Sequence, residues 1–455
     1  RSFRNALRGK IPAGRVIDDP NILAANSSDK WFAAARPALV IQPKSAKEVS
    51  SVFRAANRFG VPITPRGAGY GYVGGCVPSP GGVVIGVENL GQILEISPAD
   101  FVAVVQPGVV TGELQRKVRQ RKLYYPPDPA SLPHCSIGGN IATNAGGPKC
   151  LKYGVTRSYV LGLEAVLPTG EIIRCGGRTH KNKTGFDLVS LFCGSEGLLG
   201  FITEATLRLI PYPPARATLS AGFSTMARAA KAIQQVFKAG YLPAALEVAD
   251  EFTLNAARAY RPEAQFPPGR AQVIVEVDGQ PDSVKGEARA LEKLLVGSGA
   301  TRVKRATTEA DCEALWDCRR AYSASLKATG LRKLNEDVVV PRGRLVDLVQ
   351  FAAGLQRTSG YPIACFGHAG DGNIHTNIMV PPAWDRETQT RSRKVLDQLF
   401  KQVLDWGGAI TGEHGVGLAK KPWWPSALSK STRDLHSSLR KTFDPNGIFN
   451  PGKFT

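Results

Sequence analysis

Three glycine-rich segments crowd into the first half of this 455-residue chain, and they constrain its fold more than any other feature. The first is Pro65-Arg66-Gly67-Ala68-Gly69-Tyr70-Gly71-Tyr72-Val73-Gly74-Gly75; the second spans 136–147 as SIGGNIATNAGG; the third spans 194–204 as GSEGLLGFITE. Such loops present backbone amides with little side-chain bulk, and successive amides form a nest for an anion. Residues 69–74 satisfy the letters GxGxxG, yet Cys76-Val77-Pro78-Ser79-Pro80 follows, and prolines cannot open the helix that fingerprint requires. An ordinary Rossmann fold is therefore disfavoured. Three such stretches in one domain are also more than turns alone explain.

Helix and strand patterns alternate around these loops. Ser45-Ala46-Lys47-Glu48 is a capping box, after which Val49, Val52, Phe53 and Ala56 recur on one helical face until Gly60. Strands are expected near 61–65, 82–87, 103–105, 161–167 and 203–209, punctuated by glycine and proline. Pro211-Tyr212-Pro213-Pro214 is the best domain boundary. Beyond it, a strand at 273–277 and an amphipathic helix through Val395, Leu396, Leu399, Phe400, Val403 and Leu404 open a second mixed region. The expected organisation is a domain over 1–213, a second over 214–420, and a closing segment over 421–455.

Composition narrows the function classes. The chain is 43% hydrophobic and 21% charged, as globular proteins are, and no apolar run reaches the roughly 18 residues of a membrane span. No apolar h-region follows Arg1, so no signal peptide is expected. Eight cysteines with no CxxC fit neither a disulfide framework nor an iron–sulfur run, and read as reduced thiols in a cytoplasmic protein. The net charge of +20 suits an anionic substrate, an acidic electron-transfer partner or a peripheral place on an anionic membrane. Its densest run, residues 116–122, has no interleaved aromatics and reads as a solvated helix face; nucleic acid is not an expected partner.

The six histidines are the second strong signal. Residues 367–377, GHAGDGNIHTN, read as two strands joined by a Gly-Asp-Gly turn, with His375 and Asn377 on one face and His368 ending the first strand. Gly412-Glu413-His414-Gly415-Val416-Gly417 adds a carboxylate beside another histidine. Two imidazoles and a carboxylate suit zinc, manganese or iron with coordination positions left open. His134, His180 and His436 carry no such context.

The order of these motifs resembles the vanillyl-alcohol oxidase superfamily, in the branch holding the glycolate oxidase flavin subunit, D-lactate dehydrogenase and D-2-hydroxyglutarate dehydrogenase. The similarity runs over nearly the whole chain, including the closing Asn450-Pro451-Gly452-Lys453. It implies an α+β fold, with a two-part, PCMH-type FAD-binding domain and a separate α+β substrate (cap) domain. FAD contacts would come from Arg66, Gly67, Gly69, Tyr70, Asp128, Gly138, Gly139, Asn140, Thr143, Asn144, Gly146, Glu196, Gly200, Ile202 and Asn450, with Tyr70 standing where the family carries a small hydroxyl residue. The resemblance also implies a divalent metal, zinc first, on His368, His375 and Glu413. His414 would be the general base and Asn377 would position the substrate. Leu315-Trp316-Asp317-Cys318-Arg319-Arg320 matches the family's LWxxR stretch, so Arg319 is the expected carboxylate clamp, with Lys333 a second candidate.

The expected activity is oxidation of a small D-2-hydroxy acid (lactate, glycolate or 2-hydroxyglutarate type) to the 2-oxo acid, with hydride passing to FAD. Electrons would leave to a separate quinone, cytochrome, flavoprotein or iron–sulfur subunit. Covalent flavin attachment is not expected, His134 being the one conceivable anchor, and a homodimer is an open assembly. The alternative keeps the flavin and changes the substrate to an aromatic alcohol or an ether-lipid precursor. A pure binding module would leave both the glycine loops and the histidines without a role.

Overall fold

In a computed structural model describing residues 2–454, the first long helix starts where capping chemistry places it. Ser45 Oγ accepts the Glu48 amide, α1 (Ala46–Phe59) follows, and Gly60 ends it in the left-handed region at φ 62°. Val49, Val52, Phe53 and Ala56 are fully buried along its inner face, in a core that Phe201 and Phe449 share.

The chain divides into two compact units: residues up to Gly146, Val155–Tyr212 and Glu413 onward form the first, while Gly147–Gly154 and Pro213–Gly412 form the second. The second unit begins at the proline cluster. It closes at Gly412 rather than near 420, because Glu196 takes the amides of Val416 and Gly417 and Val73 O takes that of Leu418, all within the first unit. It also captures 147–154, a segment inside the expected 1–213 domain. Lys149 pairs with Glu276 at 3.3 Å, and Lys152 and Tyr153 reach Asp278 at 2.5 and 2.8 Å.

Among the described residues, the first unit carries a four-stranded and a five-stranded sheet beside a two-stranded ladder of Leu123–Tyr124 with Ile210–Pro211. β1 (Val16–Ile17), β2 (Leu39–Ile41), β3 (Ile63–Arg66) and β4 (Val83–Gly86) stand in the order β1-β2-β4-β3, parallel except at β1. β5 (Ile93–Ser97), β6 (Val102–Val105), β7 (Val160–Val166), β8 (Ile172–Gly176) and β9 (Phe201–Arg208) form an antiparallel sheet in the order β5-β6-β9-β7-β8. The second glycine segment folds as α2 (Ile137–Thr143), capped by Ser136.

The second unit is one seven-stranded antiparallel sheet. Its strands are β10 (Ala215–Phe223), β11 (Ala245–Ala249), β12 (Ala271–Gly279), β13 (Arg302–Ala306), β14 (Arg332–Val339), β15 (Ile363–His368) and β16 (Asn373–Val380), ordered β13-β10-β12-β11-β15-β16-β14. Strand alternation divides its faces. One face is apolar, with Leu219, Val273, Val275, Leu246, Val248, Ile374 and Ile378 buried beneath helices. The other buries Thr218, Ser220, Gln272, Glu276, Glu247, His368, His375, Asn377 and Asp337. Buried polar groups are costly unless bonded, and α3 (Glu309–Ala328) supplies many of the bonds. Trp316, Arg319 and Tyr322, spaced three apart, reach Glu276, Glu247 and Gln272. No helix among the described residues is long and apolar enough to cross a membrane, and all eight cysteines are free.

Candidate active site

The first unit draws the three glycine segments together through the backbone. Gly194 N and Glu196 N bond to Ile141 O and Ala142 O of α2 at 2.9 and 2.7 Å. Gly67 lies so close to the α2 cap that a Cβ there would stand 2.7 Å from Ser136 Oγ. Asn450 N bonds to Ile63 O, and its side-chain Nδ2 donates to Gly75 O and Glu196 O at 3.1 and 3.2 Å. Asn450 Oδ1 is buried with no hydrogen-bond partner, as is Thr64 Oγ1. An orphaned acceptor costs roughly 1–3 kcal/mol, so a group supplying donors and phosphate oxygens fits this cradle of amides.

Individual side chains do more varied work than a list of cofactor contacts implies. The Arg66 guanidinium braces the first loop on Ser28 O and Ala25 O and on Cys76 Sγ. Tyr70 stacks on His134 with ring centroids 5.0 Å apart, under the Lys30 ammonium. Asn140 is buried and donates to Thr111 Oγ1, Thr143 Oγ1 donates back to Gly139 O, and Asn144 Oδ1 accepts from the Arg157 amide. Asp128 is half-buried, Gly138 N bonds to Pro107 O, Gly146 closes the first stretch of the unit, Gly200 packs on Phe192, and Ile202 is buried in β9.

Glu196 holds the histidine-bearing turn. Its carboxylate oxygens accept the Val416 and Gly417 amides at 2.7 and 2.8 Å. Gly415 sits at φ 87° with the same carboxylate 2.7 Å from where a Cβ would be, so only glycine fits. Within that turn the His414 ring stacks on Tyr72, centroids 5.1 Å apart and planes 28° from parallel. Sequence reasoning passed over Tyr72, which sits in the glycine loop two residues after the tyrosine it chose.

In the second unit β15 and β16 form the expected hairpin, and His375 and Asn377 share a face. The His368 and His375 rings meet edge to face at 5.7 Å, and both are buried, 5% and 7% exposed. Asp337 fixes where the chain leaves this sheet: its carboxylate accepts Thr411 Oγ1 at 3.0 Å and the Gly412 amide at 2.9 Å. Glu413 is the next residue. It is the first residue of the closing stretch of the first unit. Two buried imidazoles are borderline donors of the kind a divalent ion takes, and a carboxylate such as Glu413 would suit it as a third.

The second unit also carries the anion-binding candidates. Asn377 Nδ2 donates to Ala364 O and His375 O, while its Oδ1 is buried without a hydrogen-bond partner. Arg319, 8% exposed, gives Nε to Glu247 at 2.5 Å and lies over Phe366; among the described residues no hydrogen bond takes its Nη pair. Lys333 Nζ donates to Ser323 Oγ at 2.8 Å. Burial, with Lys327 repulsion added, pushes the Lys333 ammonium down to about 7. Glu247 was not foreseen: it is 1% exposed and accepts from His368 and Arg319 at once. Its sequence signal was a lone carboxylate in the apolar run Ala244-Ala245-Leu246-Glu247-Val248-Ala249.

Comparison with known proteins fits both halves of this description. Residues 212–454 match the family model for FAD linked oxidases, C-terminal domain, and residues 37–176 match the FAD binding domain. The chain belongs to the FAD-linked oxidase family. This family member is 38% identical to the glycolate oxidase subunit GlcD of Bacillus subtilis, over 92% of the chain and 88% of that protein. It is 34% identical to the D-lactate dehydrogenase of Archaeoglobus fulgidus, over 97% and 95%. With the D-2-hydroxyglutarate dehydrogenase of Stutzerimonas stutzeri it shares 33%, over 98% and 97%. Among solved structures, p-cresol methylhydroxylase aligns at TM-score 0.81 and 18% identity, covering 99% of this chain and 96% of that one. The 4-ethylphenol oxidase of Gulosibacter chungangensis aligns at 0.80 and 21%, covering 99% and 97%. At such identity these structures speak to fold alone, the PCMH-type two-domain fold with α+β content expected from the sequence. The FAD-linked oxidase is thus an FAD-dependent oxidoreductase of the type that includes GlcD and the two dehydrogenases.

Proposed function

We propose that this FAD-linked oxidase oxidises a small D-2-hydroxy acid to the 2-oxo acid and needs a divalent metal to do so. The observation that carries the reading is the pair of buried imidazoles, His368 and His375, on a polar sheet face that also bears the unsatisfied Asn377 carbonyl oxygen. Relatives named for glycolate, D-lactate and D-2-hydroxyglutarate support the substrate class.

When bound, FAD supplies the two-electron acceptor for the C2 hydride, and a divalent ion on His368, His375 and Glu413 supplies Lewis acidity at the hydroxyl. The chain's own groups do the rest. The His414 imidazole takes the hydroxyl proton, so hydride and proton leave the substrate together as a carbonyl forms. The Arg319 Nη pair presents a planar fork for the carboxylate, with the Lys333 ammonium as a second cation. Asn377, on the sheet face that carries His375, helps position the substrate. The electron acceptor is a separate protein or quinone, since the chain has no motif for a second redox centre.

The test is direct. The purified yellow protein, mixed anaerobically with a panel of D- and L-hydroxy acids, should bleach with a D-acid. Chelation should slow that bleaching at least 100-fold, and zinc, manganese or iron should restore it. Full activity after verified metal removal would overturn the metal requirement; turnover of a phenolic alcohol with none on hydroxy acids would overturn the substrate class.

A pH effect follows from Lys333. A cation depressed to about 7 is charged below that pH and neutral above it. Binding of a carboxylate product, read by perturbation of flavin absorbance, should therefore weaken as pH rises through 7, by up to about tenfold per unit. Lys333→Met should bind weakly at every pH with that slope gone. An unchanged slope in the variant would remove Lys333 from the anion site.

A further inference from the structure

Glu247 sits opposite His368 in the β11–β15 register and splits its two oxygens between different partners. Oε1 lies 2.6 Å from His368 Nδ1 and Oε2 lies 2.5 Å from Arg319 Nε. We propose that Glu247 is a positioning residue of the metal site: it holds the His368 proton on Nδ1 so that Nε2 is bare for a ligand, and it anchors the carboxylate-binding arginine to the same point.

A neutral imidazole carries one N–H, and an ionised carboxylate can only accept, so the short contact places that hydrogen on Nδ1. The lone pair then belongs to Nε2, and the ring cannot turn without breaking the bond, which is how an outer-shell carboxylate orients a metal-binding histidine. The Arg319 guanidinium on Oε2 matches the charge of the buried carboxylate, leaving Oε1 to accept from His368. A purely structural Arg–Glu pair would favour two-point engagement of both oxygens. Here Arg319 receives only one, through Nε. Phe366 completes the frame, packing its ring 5.0 Å from Arg319 Cζ and 5.1 Å from the His375 ring.

The inference rests on the metal reading above, and its test separates the two. Zinc affinity is measured on the FAD-loaded, chelator-stripped enzyme by competition with a chromophoric chelator, for wild type, Glu247→Gln, Arg319→Met, Glu247→Gln/Arg319→Met and His368→Ala. Glu247→Gln should weaken zinc binding roughly 10–100-fold, with flavin content and melting temperature recorded on the same sample. Long-range nitrogen–proton NMR of ¹⁵N-histidine-labelled, metal-free protein should show one ring protonated on Nδ1 in wild type that loses this fixed tautomer in the variant. Should the lone glutamine variant misfold around an uncompensated arginine, the double variant is compared with Arg319→Met, and the same loss is expected between them. Zinc affinity unchanged by His368→Ala would bring down the metal reading and this inference with it. Affinity lost in His368→Ala but kept within twofold on losing Glu247, or an unaltered His368 tautomer, would overturn the positioning role and leave the metal site standing.

Discussion

His414→Ala should purify as a yellow protein whose flavin scarcely bleaches with the hydroxy acid that bleaches wild type. A positioned general base contributes about 10²–10⁴ in rate, and the anaerobic reduction rate at saturating acid should fall by that factor. The substitution removes a ring that stacks on Tyr72 without touching the bonds that shape its turn, since Glu196 holds Val416 and Gly417 through their backbone amides. Flavin content and chemical reduction by dithionite should accordingly be unaffected. Exogenous imidazole should restore part of the rate. A reduction rate within threefold of wild type would exclude His414 as the base.

What the sequence revealed, and what it hid, follows from the range of the interactions. α1 was legible because its cap, apolar stripe and terminal glycine are local, and its observed ends match them. The β15–β16 hairpin was legible because Gly-Asp-Gly sets the turn and alternation sets the faces of His375 and Asn377. Glu247 lies 121 residues from His368, and only the register of an antiparallel sheet brings the two together. Asp337 escaped notice as a brace for Gly412 because 75 residues separate them. Nothing local announces what the Glu196 carboxylate holds, because the amides it accepts lie 220 and 221 residues away. Segment 147–154 falls inside the expected 1–213 domain, but its lysines and tyrosine find their acids on β12.

Gly67→Val should yield a folded but colourless protein, with FAD affinity at least 100-fold weaker by fluorescence titration. The reason is distance rather than backbone freedom. A Cβ at Gly67 would lie 2.7 Å from Ser136 Oγ and 3.4 Å from Gly139 Cα. Ser136 cannot simply yield, since it is buried and its hydroxyl caps α2 by accepting the Gly139 amide. The branched side chain must therefore hold the first and second glycine segments apart, and two sets of amides that close on one pyrophosphate need that approach. Overpacking of this kind costs about 1–3 kcal/mol of stability, so the unit should still fold while the cofactor is lost. Gly75→Ala is the matching control: a Cβ there meets nothing within 4 Å, and that variant should stay yellow. Wild-type FAD affinity in Gly67→Val would mean that the two loops do not jointly grip the pyrophosphate, and the cofactor's phosphates would have to be sought against the third segment and Asn450 instead.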